Sequence, residues 1–412
     1  MRFLPADAAS YKSLAALLIF VATYGVVGFG RLPWFRLDRT GAAFLGAVLM
    51  VASGALSLAE AYRAIDLDTL ALLLGMMVVV ASLRLAGGFQ LLAAWAVRRA
   101  RHPLLLLAVV VGVSGVLSAF LVNDTICLVL TPLVLDVVKR LGRRPVPYLL
   151  AIAMAANIGS VATITGNPQN MIIGSLSRIP YGVFTARLAP VAAIGLLATL
   201  VLIAIIWREE FLVRAHLAAA PARARISPPL VRKTVLVTLG LIAAFFLGVP
   251  PAEAAMVAGG VLLFTRRLKA QRFYAEINGA LLLMFAGLFV VVAGLQQAVL
   301  DERLIARIAA WHLDQVAVLS LLTAALSNIV SNVPAVLVLR PFIAHLADPT
   351  RAWLTVAMAS TLAGNFTIVG SVANLIVVQL AAAEGVHVGF WTYFAVGAPL
   401  TVLTLAAGIV LL

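Results

Sequence analysis

The chain is short of nearly everything a water-soluble protein keeps at its surface. Of 412 residues only 11% are charged and 63% are hydrophobic, against about 25% and about 45–50% in ordinary globular domains. Too little polar surface exists to keep so much apolar matter solvated, which excludes a soluble enzyme and a disordered chain. One cysteine, Cys127, leaves no disulfide framework. Five histidines (His102, His216, His312, His345, His387) fall in or near loop stretches with no metal-ligand spacing. No nucleophile motif or carboxylate pair lies inside an apolar run, so neither an enzyme nor a bound cofactor is expected.

Long apolar runs are what the chain does have, and a membrane span takes about 20 such residues. Five candidate segments precede a polar linker, at residues 13–29, 40–58, 69–85, 147–177 and 186–207. Five more follow it, at 234–249, 252–265, 277–295, 352–382 and 390–412. In each half a short amphipathic stretch (88–97; 300–311) and an apolar run broken near its middle by Asn (104–138; 316–344) separate the third segment from the fourth. The expectation is an all-α polytopic membrane protein of about ten transmembrane helices plus two re-entrant hairpins. The first repeat spans 1–207, with hairpin 104–138 and broken helix 147–177. The linker is 208–233, and the second repeat spans 234–412, with hairpin 316–344 and broken helix 352–382.

Thirty Lys and Arg against 16 Asp and Glu give a net charge of +14. The basic residues sit in short clusters between apolar runs, as the positive-inside bias of cytoplasmic loops produces, and form no continuous face for nucleic acid. The linker carries Arg208, Arg214, Arg223, Arg225, Arg232 and Lys233 with Pro221, Pro228 and Pro229, so it reads as a cytoplasmic connection. Arg98, Arg99 and Arg101 precede the first interrupted run while Lys139, Arg140, Arg143 and Arg144 follow it, so both of its ends read as cytoplasmic and the run as a hairpin. An odd number of spans per half turns the second copy over, giving an inverted repeat with both termini outside the cell (inner) membrane. No cleavable signal peptide is evident, because run 13–29 is long enough to span and is followed by Arg31, Arg36 and Arg39.

Unpaired polar groups at membrane depth cost several kcal/mol, so those present carry the information. They form four clusters: Asn123-Asp124-Thr125, residues 163–170 (TITGNPQN), 327–334 (SNIVSNVP) and 364–374 (GNFTIVGSVAN). The second of each pair combines Gly, Pro or Ser with Asn, which unwinds a helix and exposes carbonyl oxygens and helix N-termini to ions. Asp124 is the only carboxylate well inside an apolar run, and reads as a carrier of the coupling ion or as a cap of the second hairpin arm. Asn123 and Asn332, at corresponding tips, read as ligands or caps. Asn167, Asn170 and Asn374 read as site residues rather than interhelical glue, because each adjoins a helix-breaking segment. Asp136 suits an interfacial pairing with Lys139 or Arg140. Arg340 reads as snorkelling and Cys127 as packing.

These motifs resemble the Ion Transporter superfamily, and within it the citrate-transporter-like group with arsenite-efflux permeases and certain sodium/proton antiporters. SAFLVNDTICLVLTP is similar to the first hairpin of the permeases, and AANIGSVATITGNPQN to the broken helix of divalent-anion/sodium symporters. SNVPAVLV and GNFTIVGSVANLIVV look like their second-half counterparts. The symporters' Ser-Asn-Thr hairpin motif aligns with Val122-Asn123-Asp124 and with Ser331-Asn332-Val333, and the acid after the first Asn points to the permease and antiporter branch. The resemblance implies an elevator-type homodimer whose mobile part holds both hairpins and both broken helices. It implies a site drawn from Asn123, Asp124, Thr125, Thr165, Gly166, Asn167, Asn170, Ser331, Asn332, Gly370, Ser371 and Asn374, with Na⁺ near Asn123, Asp124 and Asn332. The expected function is H⁺- or Na⁺-coupled secondary transport of a small anion, or of a neutral oxyacid such as arsenite. A sodium/proton antiporter is the alternative, and an anion channel the alternative of another class.

Overall fold

Residues 6–29, 31–32, 37–99, 102–211, 227–299 and 311–412 are described by the computed structural model. They are almost wholly helical; the one β element is a two-residue ribbon, β1 (Arg31–Leu32) with β2 (Leu37–Asp38). Helices dominate because a segment in hydrocarbon must satisfy its own backbone groups. The first half runs α1 (Ala6–Phe29), α2 (Arg39–Ala52), α3 (Leu58–Ala64), α4 (Leu67–Ala86), α5 (Gly88–Arg99), α6 (Pro103–Phe120), α7 (Asn123–Arg140), α8 (Pro145–Ser160), α9 (Pro168–Ser177), α10 (Tyr181–Ile206) and α11 (Arg208–Phe211). The second runs α12 (Pro228–Phe246), α13 (Pro251–Leu263), α14 (Ala270–Tyr274), α15 (Gly279–Val299), α16 (Val316–Val330), α17 (Asn332–Ile343), α18 (Pro349–Ala363), α19 (Val372–Ala383) and α20 (Phe390–Leu411).

Local chemistry explains most boundaries. Asp38, Asp66 and Asp348 cap α2, α4 and α18 through their carboxylates. Proline begins α6, α8, α12 and α13, where its missing N–H costs nothing. The run 40–58 is shorter as a helix than its apolarity suggests, because α2 stops at Ala52 and Gly54 turns the chain at φ +72°. Ser57 and Glu60 then close a capping box that starts α3. Hydrogen bonds from the Ser57 hydroxyl, the Ser57 N–H and Gln297 hold the Glu60 carboxyl down at about 2.

Among the described residues, seven helices are long and apolar enough to cross a membrane: α1, α4, α6, α10, α12, α15 and α20. Helix α2 has 14 residues and α13 has 13, about 20 Å at 1.5 Å per residue. Full-length helices alone therefore do not make up the expected ten. Arg36, Arg101, most of the linker, and the amphipathic stretch 300–311 apart from Trp311 lie outside the described residues.

The packing is reciprocal. α2 lies on α15 while α4 lies on α13, α6 packs on α8 as α16 does on α18, and α10 meets α20. Exchanging α2 with α13 and α4 with α15 maps these pairs onto one another. Small residues allow the close crossings: a Cβ on Gly159 would strike the Gly115 backbone, and one on Gly287 the Ala43 backbone. Ion pairs gather at helix ends, with Arg84 on Glu276 (2.6 Å), Lys139 on Glu384 (2.8 Å) and Arg143 on the buried Glu210 (3.1 Å). Asp136 pairs with Arg140 at 2.8 Å, one of the two partners expected of it.

Candidate functional site

Each half carries one hairpin and one broken helix, and the breaks superimpose in sequence without a gap. Residues 153–170 and 357–374 match at seven of eighteen positions (Ala, Met, Ala, Thr, Ile, Gly and the final Asn). In both, α8 or α18 ends, a 3-10 turn follows (Ile164–Gly166; Ile368–Gly370), and α9 or α19 begins. The same side chain staples each break. Asn170 Nδ2 donates to the carbonyls of Ser160 (3.0 Å) and Thr163 (2.9 Å), and Asn374 Nδ2 to those of Gly364 (2.7 Å) and Thr367 (3.1 Å). These carbonyls would otherwise be the unsatisfied end of a helix. Gly166 admits the chain, since a Cβ there would strike the Ser160 backbone.

Asn157, in the last turn of α8 and fully buried, joins the two halves. Its Oδ1 accepts from Asn123 Nδ2 (3.0 Å) and Ser371 Oγ (3.0 Å), and its Nδ2 donates to Asn365 Oδ1 and Asn374 Oδ1 (both 2.9 Å). All four bonding positions of the amide are used. On the other side Asn332 donates through Nδ2 to Ser327 Oγ (2.7 Å), Ser360 O (3.1 Å) and Gly370 O (3.3 Å), while its Oδ1 accepts from Gln169 Nε2 (3.2 Å); the network assigns this amide orientation. Each tip asparagine thus touches the broken helix of its own half, and one further bond carries it to the other half.

The tips meet at a cavity with about 50 Å³ of space for water centres, room for a few water-sized groups. Asn123, Asp124, Gln169, Ser331, Asn332 and Ser371 from the hairpins and broken helices line it together with Val27 of α1, Arg39 of α2 and the α15 residues Leu281, Met284 and Phe285. Asp124 is half-buried and makes no hydrogen bond or ion pair among the described residues. Asn123 Oδ1 is buried without a donor among the described residues, so its lone pairs stay available. Ser331 sits at φ +81°, ψ 161°, a backbone region natural only to glycine, which stores strain at the second tip.

Of the residues expected to form the site, Asn123, Asp124, Ser331, Asn332 and Ser371 line this cavity. The others stand behind it. Asn167 caps α9 by accepting from Asn170 N (2.9 Å) and donates to Ser160 Oγ (2.9 Å). Asn170 and Asn374 close the breaks, and Gly166 and Gly370 occupy the 3-10 turns. Thr165 turns to the Tyr181 hydroxyl at 2.8 Å. Thr125 lies half-buried in the first turn of α7 and is not among the lining residues. Cys127 is buried, and no cluster of three metal-ligating side chains occurs among the described residues. Three contributors were not singled out in the sequence: Asn157 and Gln169, which lie inside quoted motifs, and Arg39. An Asn inside an apolar segment is itself an anomaly, and weighing it alone would have found Asn157.

A multi-pass helical protein in which paired hairpins and paired broken helices enclose a polar cavity is a membrane transporter. The citrate transporter family model matches residues 17–363, and the chain belongs to that family. An uncharacterized transporter of Mycobacterium tuberculosis is 31% identical over 97% of this chain and 98% of its own length. The silicon efflux transporter LSI3 of Oryza sativa subsp. japonica is 31% identical over 93% of this chain and 94% of its own. Among solved structures, the YdaH transporter of Alcanivorax borkumensis has the same fold, with a TM-score of 0.63 at 16% identity over 98% of this chain and 97% of that one.

Proposed function

We propose that this chain is an ion-coupled secondary transporter of a small oxyacid or its anion, with the cavity between the hairpin tips as solute site and Asp124 as the coupling carboxylate. The observation that carries the reading is the convergence of both tips on one small polar cavity, in which Asp124 keeps its carboxylate free of any protein partner among the described residues. A free carboxylate in a low-dielectric wall is stable only with a proton or a cation, which is what a coupling residue needs. The unpartnered Asn123 Oδ1 beside it, with Asn332 across the cavity, supplies further hard oxygen for Na⁺. Cavity size favours a compact solute over citrate, and the silicon efflux activity named for the rice relative is of that kind.

On this reading the hairpins and broken helices move as one block, since Asn157 and Asn332 bond them across the halves, against a scaffold of α1, α2, α4, α12, α13 and α15. Repeats 1–207 and 234–412 are oppositely oriented in the cell membrane, with the linker cytoplasmic, both termini outside and the protein a homodimer. The cavity lies beside the first turns of α2 and α15, whose preceding segments are basic, so this is an inward-facing state. Counterflow in proteoliposomes tests it, using silicic acid, arsenous acid, phosphate and citrate with and without Na⁺. Saturable exchange of a compact oxyacid, lost in Asn123→Ala and Asn332→Ala, is expected. Na⁺/H⁺ exchange that no solute affects would replace this reading by the antiporter one.

A further inference from the structure

Arg39 is a cation with no evident structural employment. It is half-buried at the first position of α2, lines the cavity with both hairpin tips, and makes no hydrogen bond or ion pair among the described residues. The adjacent carboxylate, Asp38, is already engaged in capping the same helix through Gly41 N at 2.8 Å. The position also opposes the helix dipole, whose positive end lies at the N-terminus and disfavours a cation in the first turn. A half-buried guanidinium at the wrong end of a helix gains nothing for folding that a neutral side chain would lose, so its counter-charge must come from outside the fold.

The cavity indicates what that charge is. Its charged lining residues are Arg39 on the scaffold side and Asp124 on the hairpin side, and they form no ion pair. Once Asp124 holds its coupling proton or Na⁺, the lining carries a net positive charge, and the remaining donors belong to Gln169, Ser331, Asn332 and Ser371. A planar guanidinium with a fork of N–H donors suits an oxyanion better than a neutral hydroxy acid. Helix α2 holds this group firmly, because its close crossing with α15 leaves no room for a Cβ at Gly287.

We infer that Arg39 selects the ionised form of the solute, taking an oxyanion against the scaffold wall while Asp124 carries the coupling ion on the moving wall. This rests on the solute-transporter reading above. The test measures affinities of phosphate and arsenate, ionised at neutral pH, and of silicic and boric acid, neutral there, for the full chain in proteoliposomes, comparing wild type, Arg39→Gln and Arg39→Lys. Expected for Arg39→Gln is at least a tenfold loss of oxyanion affinity, with neutral-acid affinity within twofold of wild type, and substantial recovery in Arg39→Lys. Unchanged oxyanion affinity in Arg39→Gln would overturn the inference, as would an equal loss for both solute classes, or a wild type that takes only neutral acids. A wild type that takes no solute of either class would instead overturn the transporter reading, and this inference with it.

Discussion

Asn157→Ala is the sharpest structural perturbation available, because it removes four hydrogen bonds through one side chain. Its partners are two in the second half's break (Asn365 and Asn374), one at that break's helix start (Ser371) and one at the first hairpin tip (Asn123). Side-chain hydrogen bonds in membrane proteins average about 0.6 kcal/mol, and buried ones in soluble proteins reach about 1.5 kcal/mol. Four of them bracket the cost at about 2–6 kcal/mol, a large share of a typical stability of about 5–15 kcal/mol. Asn374 retains its two backbone bonds and still staples its own break, so the loss falls on the junction between halves. Reversible unfolding in mixed micelles, followed by tryptophan fluorescence, reads the difference. Asn157→Asp keeps both acceptor roles and should cost less than Ala where Asn123 is concerned. A double-mutant cycle with Asn123→Ala should give a coupling of about 0.6–1.5 kcal/mol. A loss below about 0.5 kcal/mol for Asn157→Ala, or zero coupling, would refute Asn157 as the junction.

Two further expectations follow from particular residues. With Cys127 replaced, single cysteines at the exposed Arg144 and His345, beside the outer ends of the two hairpins, should be labelled from opposite faces of the membrane; labelling from one face would contradict inverted repeats. Ser331→Gly should raise thermal stability in detergent by about 0.5–2 kcal/mol, since relief of about 1–3 kcal/mol of backbone strain outweighs the entropy glycine adds to the unfolded chain; a loss of stability would mean that contacts of the hydroxyl outweigh the strain.

Much of the architecture was legible because hydrocarbon imposes simple rules. Apolar length pointed to helices, and Asn at mid-run marked the turns before Asn123 and Asn332, where α7 and α17 begin. Helix ends set by local chemistry were less visible: the Ser53-Gly54 turn that stops α2 hides inside an apolar run. The site was half legible. Asn beside Gly or Pro marks a helix break without saying whether the side chain faces a cavity or closes the break itself. Asn167, Asn170 and Asn374 do the latter, as the orphaned carbonyls of an interrupted helix require. Arg39 counted as a loop charge because it follows Arg31 and Arg36; only the packing of α2 on α15, which itself meets α17, brings it to the cavity wall.

The central claim concerns Asp124, and gradient-driven uptake tests it most directly. Asp124→Asn keeps the shape of the side chain while removing the titratable charge. In proteoliposomes at matched protein density, with an imposed pH or Na⁺ gradient, wild type should accumulate solute. Asp124→Asn should remain folded and inserted yet no longer respond to either gradient. Accumulation by Asp124→Asn at the wild-type level would contradict the assignment of coupling to this carboxylate.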